Sequence, residues 1–380
     1  MVVAMVGCGA PAAKSSAAAT SKAAVATTAA ATKAAATTAA ATTAAAPATT
    51  AAMTTGQATT GSTTSGTPVA TGSNAKKWKI AVVPKMTSIA WFERMANGIK
   101  EYNQKYGDNV FYGGSTEGAD QASYVEGLLA QNYDAIICVP FDVEAMEPVL
   151  KKAMDKGIVV VTHEAAAMTN MDYDVEAFDN VAIGEVMMKN IGESVGGKGK
   201  YIQLVGALTS KTHAEWTGGA EAYQKKNFPD MQLIGKYETN DDTDQAYNKV
   251  KEALTANPDI VAVQGSASTD LAGASRAVEE LGLKGKVTLV GFSLYSVSGQ
   301  YVKEGTAKGY YFWDSAQAGE AAVEIAKGVL GGYIDDIKAH GLADDFIKGY
   351  KVMTLKDKTF YANSYVYIDK SNVDDKTFQY

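Results

Sequence analysis

From Lys79 onward, short runs of wholly apolar residues alternate with longer amphipathic stretches, and few architectures satisfy that alternation. Ile80-Ala-Val-Val83 is a run that fills a strand buried on both faces. An amphipathic stretch from about Ala90 to Tyr106 follows and ends near Gly107. Next come strand Asn109 to Tyr112, helix Ala119 to Gln131, strand Ala135 to Val139, helix Val143 to Lys156 and strand Ile158 to Val161. Gly107 and Gly157 stand where helix C-termini take a left-handed residue. A second series begins near Asn180, with strands expected at Tyr201 to Val205, Gln232 to Tyr237, Ile260 to Val263, Val287 to Val290 and Gly309 to Phe312. Repeated βαβ units of this kind build a doubly wound parallel sheet with helices on both faces. Two such series imply an α/β protein of two lobes.

The first 75 residues obey a different rule. Residues 9–75 are nearly all Ala, Thr, Ser, Gly and Pro, with side chains too small to bury a core. Interleaved Thr, then Gly and Ser, oppose the helix that Ala alone would favour, so the segment reads as a flexible tether. Ahead of it, residues 1–8 end in Gly7-Cys8 after an apolar stretch, like the end of a lipoprotein signal peptide. Cys8 is therefore expected to carry lipid, making the protein extracytoplasmic and anchored to a cell membrane by acyl chains. A long tether suits a Gram-positive envelope.

With the tract's three lysines removed, the remaining chain holds 32 basic and 42 acidic residues, a net charge of −10. That balance argues against binding nucleic acid or anionic lipid, which need clustered positive charge. Cys8 and Cys138 are the only cysteines, which excludes a disulfide framework and a cysteine-rich zinc site. Ligands of open α/β sheets bind at the carboxyl ends of the strands. The loops there carry Lys85, Asp142 with Glu144, and His163 with Glu164 in the first half. In the second they carry Thr212, His213, Trp216, Asp270, Ser293 and the Trp313-Asp314 pair. Carboxylates that accept from hydroxyls, beside aromatic faces that cover C–H surfaces, suit a polyhydroxylated ligand.

Four segments carry a resemblance to the type I periplasmic binding proteins, the sugar-binding proteins of bacterial ABC importers of the ribose, rhamnose and autoinducer-2 type. They are Ile89-Ala-Trp-Phe-Glu-Arg-Met-Ala-Asn-Gly98; Asp134-Ala-Ile-Ile-Cys-Val-Pro-Phe-Asp-Val-Glu-Ala-Met146; Ile158-Val-Val-Val-Thr-His-Glu164 with Phe178-Asp-Asn-Val181; and Leu289-Val-Gly-Phe-Ser293 with Thr306 to Gly319. The resemblance implies two lobes joined by a three-segment hinge, closing over a sugar and docking on a permease with its ATPase, with no catalysis and no cofactor. It implies that Trp91 and Phe92 stack on the sugar, that Asp142 and Glu164 bind its hydroxyls, and that Lys85 holds a position seen in the autoinducer-2 branch. Ser293 departs from the ribose type, which has an aspartate there; Glu144 and Thr212 depart from the autoinducer-2 branch. The expected lobes are 76–178 plus 314–340, and 179–313 plus 341–380.

The expected function is capture of a neutral mono- or short oligosaccharide by a monomeric, lipid-anchored receptor. The contacts expected are Lys85, Trp91, Phe92, Asp142, His163, Glu164, Thr212, Trp216, Asp270, Trp313 and Asp314, with Trp91 and Trp313 or Trp216 sandwiching the ring. The alternative in the same fold is a receptor for autoinducer 2 or another signal. Asp142 could cap its helix as well as bind the ligand, Asp270 could equally be a cap, and Trp91 could be a core residue. No metal-ligand spacing involves His163 or His213, and no nucleophile elbow, Walker A loop or dinucleotide fingerprint occurs.

Overall fold

The computed structural model describes residues 77–342 and 345–380; Cys8 and the 9–75 tract lie outside the described residues. The first series is β1 (Ile80–Val83), α1 (Ala90–Tyr106), β2 (Phe111–Tyr112), α2 (Gln121–Leu128), β3 (Ala135–Cys138), α3 (Val143–Asp155), β4 (Val159–His163) and β5 (Tyr173–Glu176). The second is α4 (Asn180–Ser194), β6 (Lys198–Val205), α5 (Lys211–Asn227), β7 (Asp230–Glu238), α6 (Thr243–Ala256), β8 (Ile260–Gly265), α7 (Asp270–Glu280), β9 (Thr288–Phe292), α8 (Tyr295–Glu304) and β10 (Gly309–Phe312). After these come α9 (Ser315–Gly331), α10 (Ile334–His340), β11 (Thr354–Lys356), β12 (Thr359–Tyr361) and β13 (Val366–Asp369).

Two sheets result, in the orders β11-β12-β5-β4-β3-β1-β2 and β13-β10-β9-β8-β6-β7. The five core strands of each are parallel and follow one winding, second-first-third-fourth-fifth. This is the doubly wound pattern, with its switch point between β1 and β3 in one sheet and between β6 and β8 in the other. The apolar runs are contiguous because each face of the first sheet is covered. Ile80, Val82 and Ile137 pack into one core cluster, while their neighbours Ala81, Val83 and Ile136 pack into another. Register is shared across three strands, Val82 opposite Ile137 and Ile137 opposite Val161.

Local chemistry fixes the helix ends. Asp142, Asp179, Asp242 and Asp314 cap α3, α4, α6 and α9, each carboxylate accepting from a first-turn N–H. Gly107 closes α1 at φ 63°, in the left-handed region. In the second half α4 lies directly on α5. A Cβ on Gly184 would stand 2.1 Å from the Trp216 carbonyl oxygen, and one on Gly219 2.3 Å from that of Val181. Only glycine permits that approach.

Among the described residues the chain crosses between the sheets three times: from Glu176 to Asn180, from Phe312 to Ser315 and from Tyr361 to Val366. The last crossing lies later than expected. Residues 341–380 do not all join the second half, because β12 pairs in parallel with β5 and β11 pairs antiparallel with β12. This hairpin covers the open edge of the first sheet, and β13 alone of the three pairs with the second, antiparallel to β10. Among the described residues no helix is long and apolar enough to cross a membrane.

Candidate functional site

The carboxyl ends of both sheets converge on one cavity. Lys85 reaches it from the loop after β1 and Glu164 from the residue after β4; Asp241 comes from the loop after β7. The Lys85 ammonium lies 3.3 Å from Glu164 Oε2 and 3.9 Å from Asp241 Oδ2. All three side chains are buried, 6, 7 and 4 % exposed as residues in the order Lys85, Glu164, Asp241. Burial alone would depress the Lys85 pKa, but Asp241 and Glu164 outweigh it and hold the ammonium above the ordinary lysine value. Burial also pushes the Asp241 carboxyl up, against the pull of Lys85. Lys85 therefore ties the two halves together at the centre of the cavity.

Both carboxylates stand on backbone that side chains rarely adopt. Glu164 has φ 59°, and Asp241 follows Asn240 with φ 53° at each. Left-handed non-glycine residues cost on the order of 1–3 kcal/mol and cluster at ligand clamps and switch regions. The strain here coincides with the two acids that face Lys85.

Aromatic rings form the rest of the wall: Trp91 and Phe92 from α1, Trp216 from α5, Phe292 at the end of β9, and Trp313 just after β10. They do not form the sandwich expected for a pyranose. Trp91 and Trp313 meet edge to face with centroids 4.4 Å apart, and Trp216 and Phe292 are tilted at 4.3 Å. Edge-on packing maximises quadrupole contact between the rings and leaves no slot between them. His213 stacks on Trp216 at 5.0 Å. Its Nδ1 accepts from the Gly206 N–H at 3.0 Å, so the ring proton sits on Nε2 as a donor. Burial, then Lys85, drives the His213 pKa well down and keeps the ring neutral.

Three buried polar atoms of lining residues have no hydrogen-bond partner among the described residues: the indole N–H groups of Trp91 and Trp313 and the Ser266 hydroxyl. Such atoms are costly unless something supplies the missing partner. Two N–H donors, a neutral histidine donor, an ammonium and two carboxylates offer both halves of the pairing that hydroxyl groups make. Among the described residues no group of three His, Cys, Asp or Glu side chains is arranged to hold a metal ion.

Six of the eleven expected contacts line this cavity: Lys85, Trp91, Phe92, Glu164, Trp216 and Trp313. The other five stand elsewhere. Asp142 accepts from the Ala145 N–H at 3.0 Å and caps α3, so its carboxylate serves the helix. His163 hydrogen-bonds the Val175 carbonyl through Nδ1, and its Nε2 lies 3.8 Å from Glu164 Oε1, behind that residue. Thr212 donates to the Glu164 carbonyl oxygen and so links the halves beside the cavity. Asp270 accepts from the Ser266 and Ala267 N–H groups and from the Thr239 hydroxyl, holding the loop whose residues 266–268 form the floor. Asp314 takes a two-pronged bond from Arg94, at 2.9 and 2.7 Å, and caps α9 at the second crossing.

Asp241, Ser266, Ser268 and Phe292 were not among the expected contacts. Asp241 was within reach, since it follows an expected strand. Phe292 was hidden, because it terminates an apolar run and reads as core.

A family model described as periplasmic binding protein domain matches residues 80–333. The chain belongs to that family. The xylitol-binding protein of Mycolicibacterium smegmatis is 30 % identical over 247 residues, covering 64 % of this chain and 65 % of that one. A D-ribose/D-allose-binding protein of Pseudomonas aeruginosa is 23 % identical over 284 residues, covering 71 % of this chain and 87 % of its own. A Clostridium phytofermentas ABC transporter solute-binding protein, solved with L-rhamnose bound, superposes with a TM-score of 0.71 at 20 % identity, over 80 % of this chain and 98 % of that one. That last likeness is one of fold. The family is one of substrate-binding proteins rather than enzymes, and it places the chain outside the cytoplasm.

Proposed function

We propose that this chain is a solute receptor that encloses a neutral sugar or sugar alcohol between its halves and presents it to an ABC permease. The observation that carries the reading is the set of unpartnered indole and hydroxyl groups around the Lys85–Glu164–Asp241 cluster. Lys85, Glu164, Asp241, His213 and the two indoles would bond its hydroxyls, and the rings of Phe92 and Trp216 would cover its C–H surface. Micromolar affinity needs about −8.2 kcal/mol. Three or four hydrogen bonds to charged groups, at roughly 1.5–3 kcal/mol each, reach it together with the C–H surface covered by one or two rings. Contacts come from both halves, so the ligand favours the closed arrangement.

The experiment is a thermal-shift screen of the protein against pentoses, hexoses, pentitols and autoinducer 2, followed by calorimetry of each hit. A melting rise with a sugar or polyol is expected, because ligand bound to the native state stabilises it. A rise with autoinducer 2 alone would replace this reading by that of a signal receptor. The reading includes a monomer held to the membrane through lipid on Cys8. Substituting Cys8→Ala should move the protein from the membrane to the soluble fraction.

A further inference from the structure

A second, roomier groove opens beside the aromatic cavity, and Ile89 and Asp241 line both. We propose that this groove is a second subsite, taking the second ring of a neutral disaccharide or glycoside whose first ring occupies the cavity. The inference rests on the sugar reading above and names the larger ligand that the site accepts.

Three observations carry it. The first is continuity: Ile89 and Asp241 line both spaces, and the groove is the roomier of the two. The second is chemistry. Polar side chains line the groove from both halves: Glu117 and Ser88, whose hydroxyl donates to the Thr116 carbonyl, from one; Thr243, Thr269 and the Asn240–Gln245 pair, which bond each other at 2.8 Å, from the other. No tryptophan lines it, so it suits hydroxyl groups rather than an apolar tail. The third is an unmet demand. Thr269 is 8 % exposed and lines the groove, yet its hydroxyl has no hydrogen-bond partner among the described residues. A buried hydroxyl without a partner is a cost that a ligand hydroxyl removes.

The acidic residues do not make the groove a cation site. Asp242 caps α6 by accepting from the Gln245 N–H at 2.7 Å, and Asp244 pairs with Arg276 at 2.6 Å. Their remaining field, with Glu117 and Asp241, disfavours an anionic substituent and selects a neutral one.

The test is calorimetry of the full-length protein with glucose, galactose, xylose and xylitol, and with maltose, cellobiose, lactose and xylobiose. At least one disaccharide should bind at least ten-fold tighter than its component monosaccharide. Thr269→Val should weaken that disaccharide about three- to ten-fold, the worth of one hydrogen bond, and leave monosaccharide binding within two-fold. Ser88→Trp, at an exposed position on the groove's other wall, should block the disaccharide while sparing the monosaccharide. Monosaccharide binding with no disaccharide binding overturns the second subsite and leaves the sugar reading intact. So does a disaccharide that neither variant affects. Binding of neither class overturns the sugar reading itself, and the subsite with it.

Discussion

Lys85→Met keeps most of the length of the side chain and deletes its charge, leaving Glu164 and Asp241 buried without the cation that lies 3.3 and 3.9 Å from them. Removing one partner of a buried ion pair costs about 3–5 kcal/mol, because the other charge stays desolvated. Proteins of 150–250 residues lose about 2–4 °C of melting temperature per kcal/mol, so the variant should melt roughly 6–20 °C lower. Differential scanning calorimetry without ligand measures this. The control is the triple variant Lys85→Met, Glu164→Gln, Asp241→Asn, which neutralises the stranded acids. It should recover most of the lost stability and none of the sugar affinity, since the charged hydrogen bonds to the ligand are gone. A Lys85→Met melting temperature within 2 °C of wild type would refute the reasoning. A triple variant no more stable than the single one would equally show that the cost is not one of unpaired charge.

Asp142→Ala separates a helix cap from a ligand contact: stability should fall by about 1 kcal/mol in urea unfolding, with sugar affinity unchanged in calorimetry. Gly184→Ala drives a methyl group against the Trp216 carbonyl and should cost about 1–3 kcal/mol by thermal unfolding. Asp270 supplies a pH test. Burial raises its pKa from the ordinary aspartate value of 3.8 to about 7, against the bonds it accepts from Thr239, Ala267 and Ser266. Between those values the native state holds a proton that the unfolded chain has released, so its contribution to stability falls as pH rises from about 4 to 7. The buried His163 and His213, whose pKa values are lowered, pull the opposite way below about pH 6.5. The measurement is therefore the melting temperature of wild type minus that of Asp270→Asn, which should decline across pH 4 to 7 and then level off.

Some of this protein was legible residue by residue. The bounds of β1 and α1 were read as they stand, because a strand buried on both faces writes itself as an unbroken apolar run and a half-buried helix as a period of 3.6. β5 was not legible. Tyr173-Asp-Val-Glu176 has no apolar run, since it buries two carboxyls: Asp174 takes a bond from Thr162, and both carry pKa values raised by burial. The hairpin β11–β12 escaped for another reason: strands of three residues carry too little pattern to separate from loop. Six cavity residues were reachable because the carboxyl ends of parallel strands are where ligands bind, and the resemblance picked out which loops to trust.

The sequence by itself determined the class of fold and the presence of two halves, because periodicity and burial are local properties that each segment records in its own residue types. It also determined which chemistry the site could offer: acids, a lysine and aromatic rings, with no motif for a nucleophile or a nucleotide. The tertiary structure alone decided how these meet. Asp142 turned to its helix and Asp314 to Arg94, while Asp241 came from the other sheet to face Lys85. Which acid pairs with which cation depends on distances across two sheets joined by three crossings, and no stretch of chain encodes a distance to a residue 156 positions away.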